Sequence, residues 1–275
     1  MPQYYPPAYY GALTGPRFPK VIEQLQNALY AHRVRRMEQL NGGRTGRVLD
    51  IGCGRGFLLR AFQRRGWEVQ GTELSEGAAQ YARVQLQLPV QTGSLEELRL
   101  AGDQFDAAVM WHVMEHVPNP RAIVVEVHRL LKPGGIFMVA VPDFGSPEAR
   151  LARDKWFHLD VPRHVTHFTH ETLRDALTAA GFQVRHRAGL APEYDCFSFV
   201  QSALNRLGLR HNLLYHVLRA RGAKVLPDGE RSWLQVLLTF LLAPLLGVVS
   251  VPVTLLAGLL GRGATITLCA QKTSA

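Results

Sequence analysis

Three glycines in five positions, Gly52, Gly54 and Gly56, join a strand pattern to a helix pattern, and this junction constrains the fold most. Arg47-Val48-Leu49-Asp50-Ile51 reads as a buried strand, and Phe57 to Arg65 reads as a helix stopped at Gly66. The same rhythm continues down the chain. Glu68 to Thr72 is a second strand, Glu76 to Gln87 a helix, Pro89 to Thr92 a short strand and Phe105 to Trp111 a strongly apolar one. Asn119 caps a helix that carries Pro120 in its first turn and runs to Leu131. Lys132-Pro133-Gly134-Gly135 is expected to break that helix before the strand Ile136 to Val141. Strands alternating with helices imply an α/β fold with a mostly parallel sheet and right-handed crossovers.

The rhythm has a prelude and an interruption. Residues 1–18 are rich in Tyr, Pro and Gly and are expected to be irregular. Apolar residues from Lys20 to Leu40 fall at helical spacing, and Asn41-Gly42-Gly43 ends that helix. After Pro142, residues 143–170 turn polar, aromatic and rich in histidine. Thr169 then caps a helix through Ala180, and Phe182 to Arg187 is another strand. Residues 188–262 form a long insertion before Ala264 to Gln271, which alternates like a final strand and brings the sheet to seven. The expected organisation is therefore a tail and helix over 1–43 and a core over 44–187 with a lid at 143–170. A helical insertion over 188–262 and a last core strand with its tail over 263–275 complete it.

Charge and cysteines narrow the function classes. The formal charge is +9, but the arginines are scattered, with one short cluster at Arg33, Arg35 and Arg36. No basic stretch is interleaved with aromatics, so a nucleic-acid partner is not expected. The three cysteines, Cys53, Cys196 and Cys269, lie far apart and form no CxxC pair, so neither a metal site nor a redox pair is expected. Their sparse use suits a reducing cytoplasm. The N-terminal residues lack the basic region and apolar run of a secretory signal.

The glycine turn differs from the dinucleotide pattern. There the third glycine would fall one residue later, where this chain has Phe57. The strand before the turn holds Asp50, which would repel a pyrophosphate but attract the ammonium and sulfonium of S-adenosylmethionine. Glu73 closes the second strand about 20 residues on, where a carboxylate accepts ribose hydroxyls. The segments RVLDIGCGRGFLL, EVQGTELS, FDAAVMWHVMEHVPNP and LLKPGGIFMVAVP follow in order at natural spacing. Together they resemble the class I S-adenosylmethionine-dependent methyltransferases, of the group that includes ubiquinone-type and related small-molecule enzymes. The resemblance covers about residues 44–187, and WFHLDVPRHVTHFTHETLRDALTAAGF is similar to a subgroup.

That resemblance implies a Rossmann-like sheet whose last strand inserts antiparallel, and a set of site residues. Asp50, Gly52, Cys53, Gly54 and Gly56 would form the loop under the methionine half of S-adenosylmethionine. Glu73 would hold the ribose, and Leu74 would pack on the adenine. Gly93 and Ser94 would lie at the adenine edge, and Trp111 and His112 would line the inner side of the cofactor. Methyl transfer needs a base only where the acceptor is protonated, and histidine suits that role near neutral pH. The candidates are His112, His116, His158, His164 and His167, with His116, His164 and His167 favoured as base or substrate lid. Tyr4, Tyr5, Tyr9 and Tyr10 could fold over the same mouth.

The last feature is a run from Ser232 to Gly261 without a charged residue, bracketed by Arg231 and Arg262. It is long enough for a bilayer, which takes about 20 apolar residues. A single crossing would leave the final strand on the wrong side of the membrane from its sheet. The run is therefore expected either as a helical hairpin broken near Pro244 to Pro252 that dips into one leaflet, or as a segment packed on protein or a second subunit. The combined expectation is a cytoplasmic enzyme held to a membrane surface through residues 232–261. Its methyl acceptor would be small or lipid-linked, methylated at oxygen or carbon. Two other classes remain as alternatives: a nucleotide-binding oxidoreductase using NAD, and a non-catalytic membrane-bound module that keeps the fold.

Overall fold

The computed structural model describes residues 20–220 and 232–273. Tyr4, Tyr5, Tyr9, Tyr10 and Arg231 lie outside them. The helices are α1 (Lys20–Leu40), α2 (Phe57–Arg64), α3 (Glu76–Gln85), α4 (Leu95–Leu98), α5 (Pro120–Leu130), α6 (Pro147–Ala152), α7 (His170–Ala179), α8 (Pro192–Arg206), α9 (Leu213–Ala220) and α10 (Ser232–Leu259). The strands are β1 (Arg47–Ile51), β2 (Glu68–Glu73), β3 (Val90–Thr92), β4 (Phe105–Trp111), β5 (Leu131–Pro142), β6 (Phe182–Ala188) and β7 (Thr265–Lys272). Two compact units emerge. One holds Met1–Val141, Glu171–Arg187 and Thr267–Ala275, and the other holds Pro142–His170 and Ala188–Ile266.

The first unit carries one seven-stranded sheet in the order β3-β2-β1-β4-β5-β7-β6. Strands β1 to β5 pair parallel. At one end of β7, Lys272 Nζ donates to the Leu131 carbonyl at the start of β5. At the other end, Asp143 N–H donates to the Ala264 carbonyl. The last strand therefore runs antiparallel to β5, as expected for a Rossmann-like methyltransferase sheet. Period-two alternation divides the strands between two cores. Val48, Val69, Ala107, Val109 and Met138 pack under Val34 and Met37 of α1 and Leu59 and Phe62 of α2. Residues of opposite parity face the other side, where Phe137 meets Phe182 at a ring separation of 5.6 Å.

Local signals explain most element ends. Ser75 caps α3 by accepting from Ala78 N–H, and Asn119 caps α5 by accepting from Ala122 N–H. Three details differ from the sequence expectation. The strand β5 begins at Leu131, directly after α5, instead of at Ile136. Phe105 pairs with Leu131 while Ala107 pairs with Ile136, so Lys132 to Gly135 form a bulge inside the strand and not a break before it. A further helix, α4, starts at Ser94 through a capping box with Glu97. The lid region 143–170 contains α6 and two short 3-10 turns, Arg153–Lys155 and Phe157–Leu159.

The second unit is built on α8. Its buried polar side chains, among them Ser198 and Ser202, hydrogen-bond Glu148 Oε1, which also accepts from Trp156 Nε1. Burial pushes the Glu148 carboxyl up to about 7. On another side of α8 lies α10, which continues unbroken through Pro244 and Pro252. The hairpin break expected near those prolines is absent. Both prolines are exposed, and the opposite side of the helix is held against α8, so the two lost backbone bonds do not end the helix.

Phe62 is fully buried and meets Trp67 edge-on at 5.5 Å, at the centre of the α1–α2 core. Phe62→Ala is expected to lower unfolding free energy by about 3–5 kcal/mol, read from urea denaturation. A loss below about 1 kcal/mol would contradict this packing.

Candidate functional site

The candidate site forms at the C-terminal ends of β1, β2 and β4, where open α/β sheets place ligands. Gly52 N–H and Cys53 N–H both donate to the Thr72 carbonyl, at 2.8 and 3.0 Å, and Gly56 N–H closes the turn on the Cys53 carbonyl. The glycines have different reasons. A Cβ on Gly52 would stand 2.7 Å from Val113 Cγ2, so that glycine serves internal packing. Gly54 has φ +55° and nothing within 4 Å of where its Cβ would be, so its backbone faces open space. Only Gly54 matches the expectation of a backbone that a ligand can approach.

Two carboxylates are buried side by side here. Glu73 Oε2 accepts from Gly54 N–H at 2.8 Å and Oε1 accepts from Ser75 N–H at 2.8 Å. Asp50 is 2 % exposed, and its Oδ2 has no hydrogen-bond partner among the described residues. Burial first, and the neighbouring Glu73 second, push the Asp50 carboxyl up to about 7. A buried acid with an open acceptor beside a second acid is matched to a cation, not to a pyrophosphate. The ammonium of S-adenosylmethionine fits Asp50, a ribose fits the Glu73 carboxylate at the end of β2, and an adenine fits Leu74, an apolar side chain 70 % exposed just beyond β2.

Other expected residues take more specific places. The Cys53 side chain packs at the edge of the α1–α2 core, where burial raises its thiol pKa well above the ordinary value. Cys53 therefore contributes backbone to the turn. The Ser94 hydroxyl accepts from Glu97 N–H, so it is engaged in capping α4. Trp111 ends β4, and the Arg33 guanidinium lies 3.8 Å from its ring centroid. His112 follows at φ +53°, with Nδ1 3.3 Å from Glu115 Oε1. His116 closes the short 3-10 turn Met114–His116. Arg33 and Arg55, whose guanidinium stacks 3.6 Å over Tyr81, were not singled out as site residues from the sequence. Arginine in a helix or turn carries no local pattern that announces a ring partner.

In the second unit, His158, His164 and His167 fasten the segment after α6. His164 Nδ1 hydrogen-bonds the His158 carbonyl at 2.7 Å, and His167 Nε2 the Leu159 carbonyl at 3.0 Å. Each carbonyl accepts, so the bonded nitrogen carries a proton, and the other nitrogen of His164, Nε2, faces Asp160 Oδ2 at 3.8 Å. The His158 ring lies against Trp156 and Phe157.

Ionising Asp50 weakens the folded state, because its folded pKa lies above the ordinary 3.8. The penalty grows as pH rises from 3.8 to about 7 and is complete above that. Asp50→Asn is expected to gain stability over the wild type at about pH 8 compared with about pH 5, on the order of a few kcal/mol. Urea melts at the two pH values measure it, and an equal effect at both contradicts the raised pKa.

Comparison with known proteins agrees with this geometry. A family model described as a methyltransferase domain matches residues 21–187. A ubiquinone biosynthesis O-methyltransferase of Alkalilimnicola ehrlichii is 41% identical over 104 residues, 35% of this chain and 42% of that protein. One of Maricaulis maris is 33% identical over 168 residues, 55% of this chain and 65% of that protein. The matched stretch thus spans about two fifths of the first of these relatives. Among solved structures, a SAM-dependent methyltransferase from Archaeoglobus fulgidus shares the fold with a TM-score of 0.55 at 21% identity, over 90% of this chain and 94% of that one. By the family match over more than half its length, this chain belongs to the S-adenosylmethionine-dependent methyltransferase-domain family.

Proposed function

We propose that the protein transfers the methyl group of S-adenosylmethionine to a small or lipid-linked acceptor, at oxygen or carbon. The observation that carries this reading is the buried Asp50 carboxylate, open at Oδ2 beside Glu73 and the exposed backbone of Gly54. When bound, S-adenosylmethionine supplies a methyl group already activated on a sulfonium. The work left to the chain is positioning and proton handling. Asp50 binds the ammonium, Glu73 orients the ribose while holding the glycine turn closed, and Leu74 covers the adenine. Gly52, Cys53 and Gly56 shape the turn through their backbone, and Trp111 and His112 wall the site at the end of β4. Ser94 acts through the start of α4.

The acceptor's proton falls to a histidine. His116, His164 and His167 are the candidates, and hydrogen bonds to the His158 and Leu159 carbonyls fix the rings of His164 and His167 in place. A small-molecule acceptor is supported by the curated relatives, which are named for ubiquinone biosynthesis. A lipid-linked one is supported by α10, an uncharged helix of 28 residues that is long and apolar enough to cross a membrane. We place the protein at the cytoplasmic face of a membrane, attached through residues 232–261. No nucleic acid or metal enters this reading.

Two measurements test it. Titration calorimetry with S-adenosylhomocysteine is expected to show binding accompanied by proton release below about pH 7, because the ligand's ammonium draws Asp50 into its charged form. Asp50→Asn should weaken that binding by about tenfold or more and remove the proton release, while NAD binds neither protein. Equal affinity for wild type and variant would sink the assignment of Asp50. Separately, methyl-label transfer into organic and aqueous extracts of source cells should mark an organic-phase product. Label confined to the aqueous phase would remove the lipid-linked acceptor.

A further inference from the structure

Helix α10 has its faces inverted for a soluble protein. The stripe turned to α8 mixes small and hydroxyl-bearing residues with two leucines: Thr239, Ser250 and Thr254 are buried, Leu242 and Leu246 pack on Val200, Leu204 and Leu214, and a Cβ on Gly258 would stand 2.7 Å from Leu190 Cβ. The hydroxyls are satisfied inside the helix. Thr239 donates to the Gln235 carbonyl, Ser250 to the Gly247 carbonyl and Thr254 to the Ser250 carbonyl. The outward face is apolar throughout, with Trp233, Leu241, Leu245, Val248, Leu256 and Leu259 all more than half exposed. Apolar patches of this extent mark a surface that is covered in use. Small and hydroxyl-bearing residues at the helix contact, with large apolar ones outside, is the pattern of helices packed in lipid.

We propose that α10 lies within one leaflet, parallel to the membrane plane, with the α8-facing stripe inward and the leucine–valine face in the acyl chains. This deepens the membrane attachment proposed above and is independent of methyl transfer.

The packing of α10 on α8 decides between lying in the membrane and crossing it. The two helices are antiparallel along their length. Gly258 meets Leu190, Thr254 Oγ1 lies 3.2 Å from Cys196 Sγ, and Leu242 and Leu246 pack on the cluster of Val200, Leu204 and Leu214. Near the other end, Gln235 Oε1 accepts from Arg210 N–H at 3.3 Å. A crossing pair would need lipid around α8 as well. Instead α8 presents Ser198, Ser202 and Asn205 to Glu148 and to the Lys155 carbonyl, a polar layer that no acyl chain could replace. α10 is therefore the outermost layer of a folded unit, open on one side.

Length and charge agree with this orientation. Twenty-eight residues make a helix of about 42 Å, longer than the roughly 30 Å hydrocarbon core but unconstrained in the plane. Exposed arginines stand at both ends of the apolar face: Arg206 and Arg210 beside its beginning, and Arg262 just after it. Both groups reach headgroup depth on the same side, where anionic lipids attract them. β7 begins at Thr265, three residues after Arg262.

The test uses the full chain added from outside to preformed phosphatidylcholine vesicles, with and without phosphatidylglycerol. Arg210→Cys and Arg262→Cys variants, at the headgroup-depth ends of the apolar face, are treated with a membrane-impermeant maleimide, and labelling is read peptide by peptide. The expected result is flotation with the vesicles, stronger with phosphatidylglycerol, and labelling of both positions from outside. Leu245→Glu with Leu256→Glu should cut the vesicle-bound fraction by about tenfold or more. Unchanged S-adenosylhomocysteine binding by that variant shows that it is folded. Labelling at one end only means that α10 crosses, which overturns the in-plane seat but keeps membrane attachment. Absence of flotation, with concentration-dependent dimers that the double variant abolishes, overturns both and assigns the apolar face to a second copy of the chain.

Discussion

Two carboxylates buried at the ends of neighbouring parallel strands set the terms for the first unit. Asp50 lies one residue before the end of β1, and Glu73 ends β2, whose register pairs Asp50 with Gly71. Glu73 spends part of its hydrogen-bonding capacity on Gly54 and Ser75 N–H, tying the glycine turn to the start of α3. Asp50 has no such outlet at Oδ2 and is held near neutrality by desolvation and by Glu73. Such a pair is costly unless a cation or hydroxyl donors complete it. The surrounding scaffold is what makes the cost bearable: two packed faces of the sheet and a turn whose glycines fit against Val113 and Leu88.

The second unit solves a different problem with the same physics. Its polar side chains are gathered around α8, where Ser198, Ser202 and Asn205 of that helix, Glu148 of α6 and Asn212 satisfy one another or nearby backbone. Its apolar surface is concentrated on α10, facing outward. Leucines and valines on an outward face are costly to leave in water. The histidines of residues 143–170 belong to the polar side of this division. The rings of His164 and His167 hold the backbone of His158 and Leu159.

Much of this was legible in the sequence. The strand and helix patterns from Arg47 to Thr92 and over Phe105 to Trp111, the cap at Asn119 and the acidic strand end at Asp50 are local, and local signals translate directly into structure. The misses have physical causes. Lys132 to Gly135 contain Pro and two glycines and look like a breaker, but pairing with β4 carries the strand through them as a bulge. Pro244 and Pro252 look like a hairpin break, but packing on α8 keeps the helix whole. Arg33 on Trp111 and the three donors on Glu148 join residues tens of positions apart, and no spacing rule reports such contacts.

The sequence by itself determined the alternation that builds the sheet, the glycine turn after an acidic strand and the uncharged run before the last strand. Each depends only on neighbours along the chain, through backbone conformation and periodic burial. Tertiary structure decided which groups are left with unmet capacity: Oδ2 of Asp50, the open side of Gly54 and the outer face of α10. Whether a carboxylate is satisfied or a leucine covered depends on what the rest of the fold brings next to it.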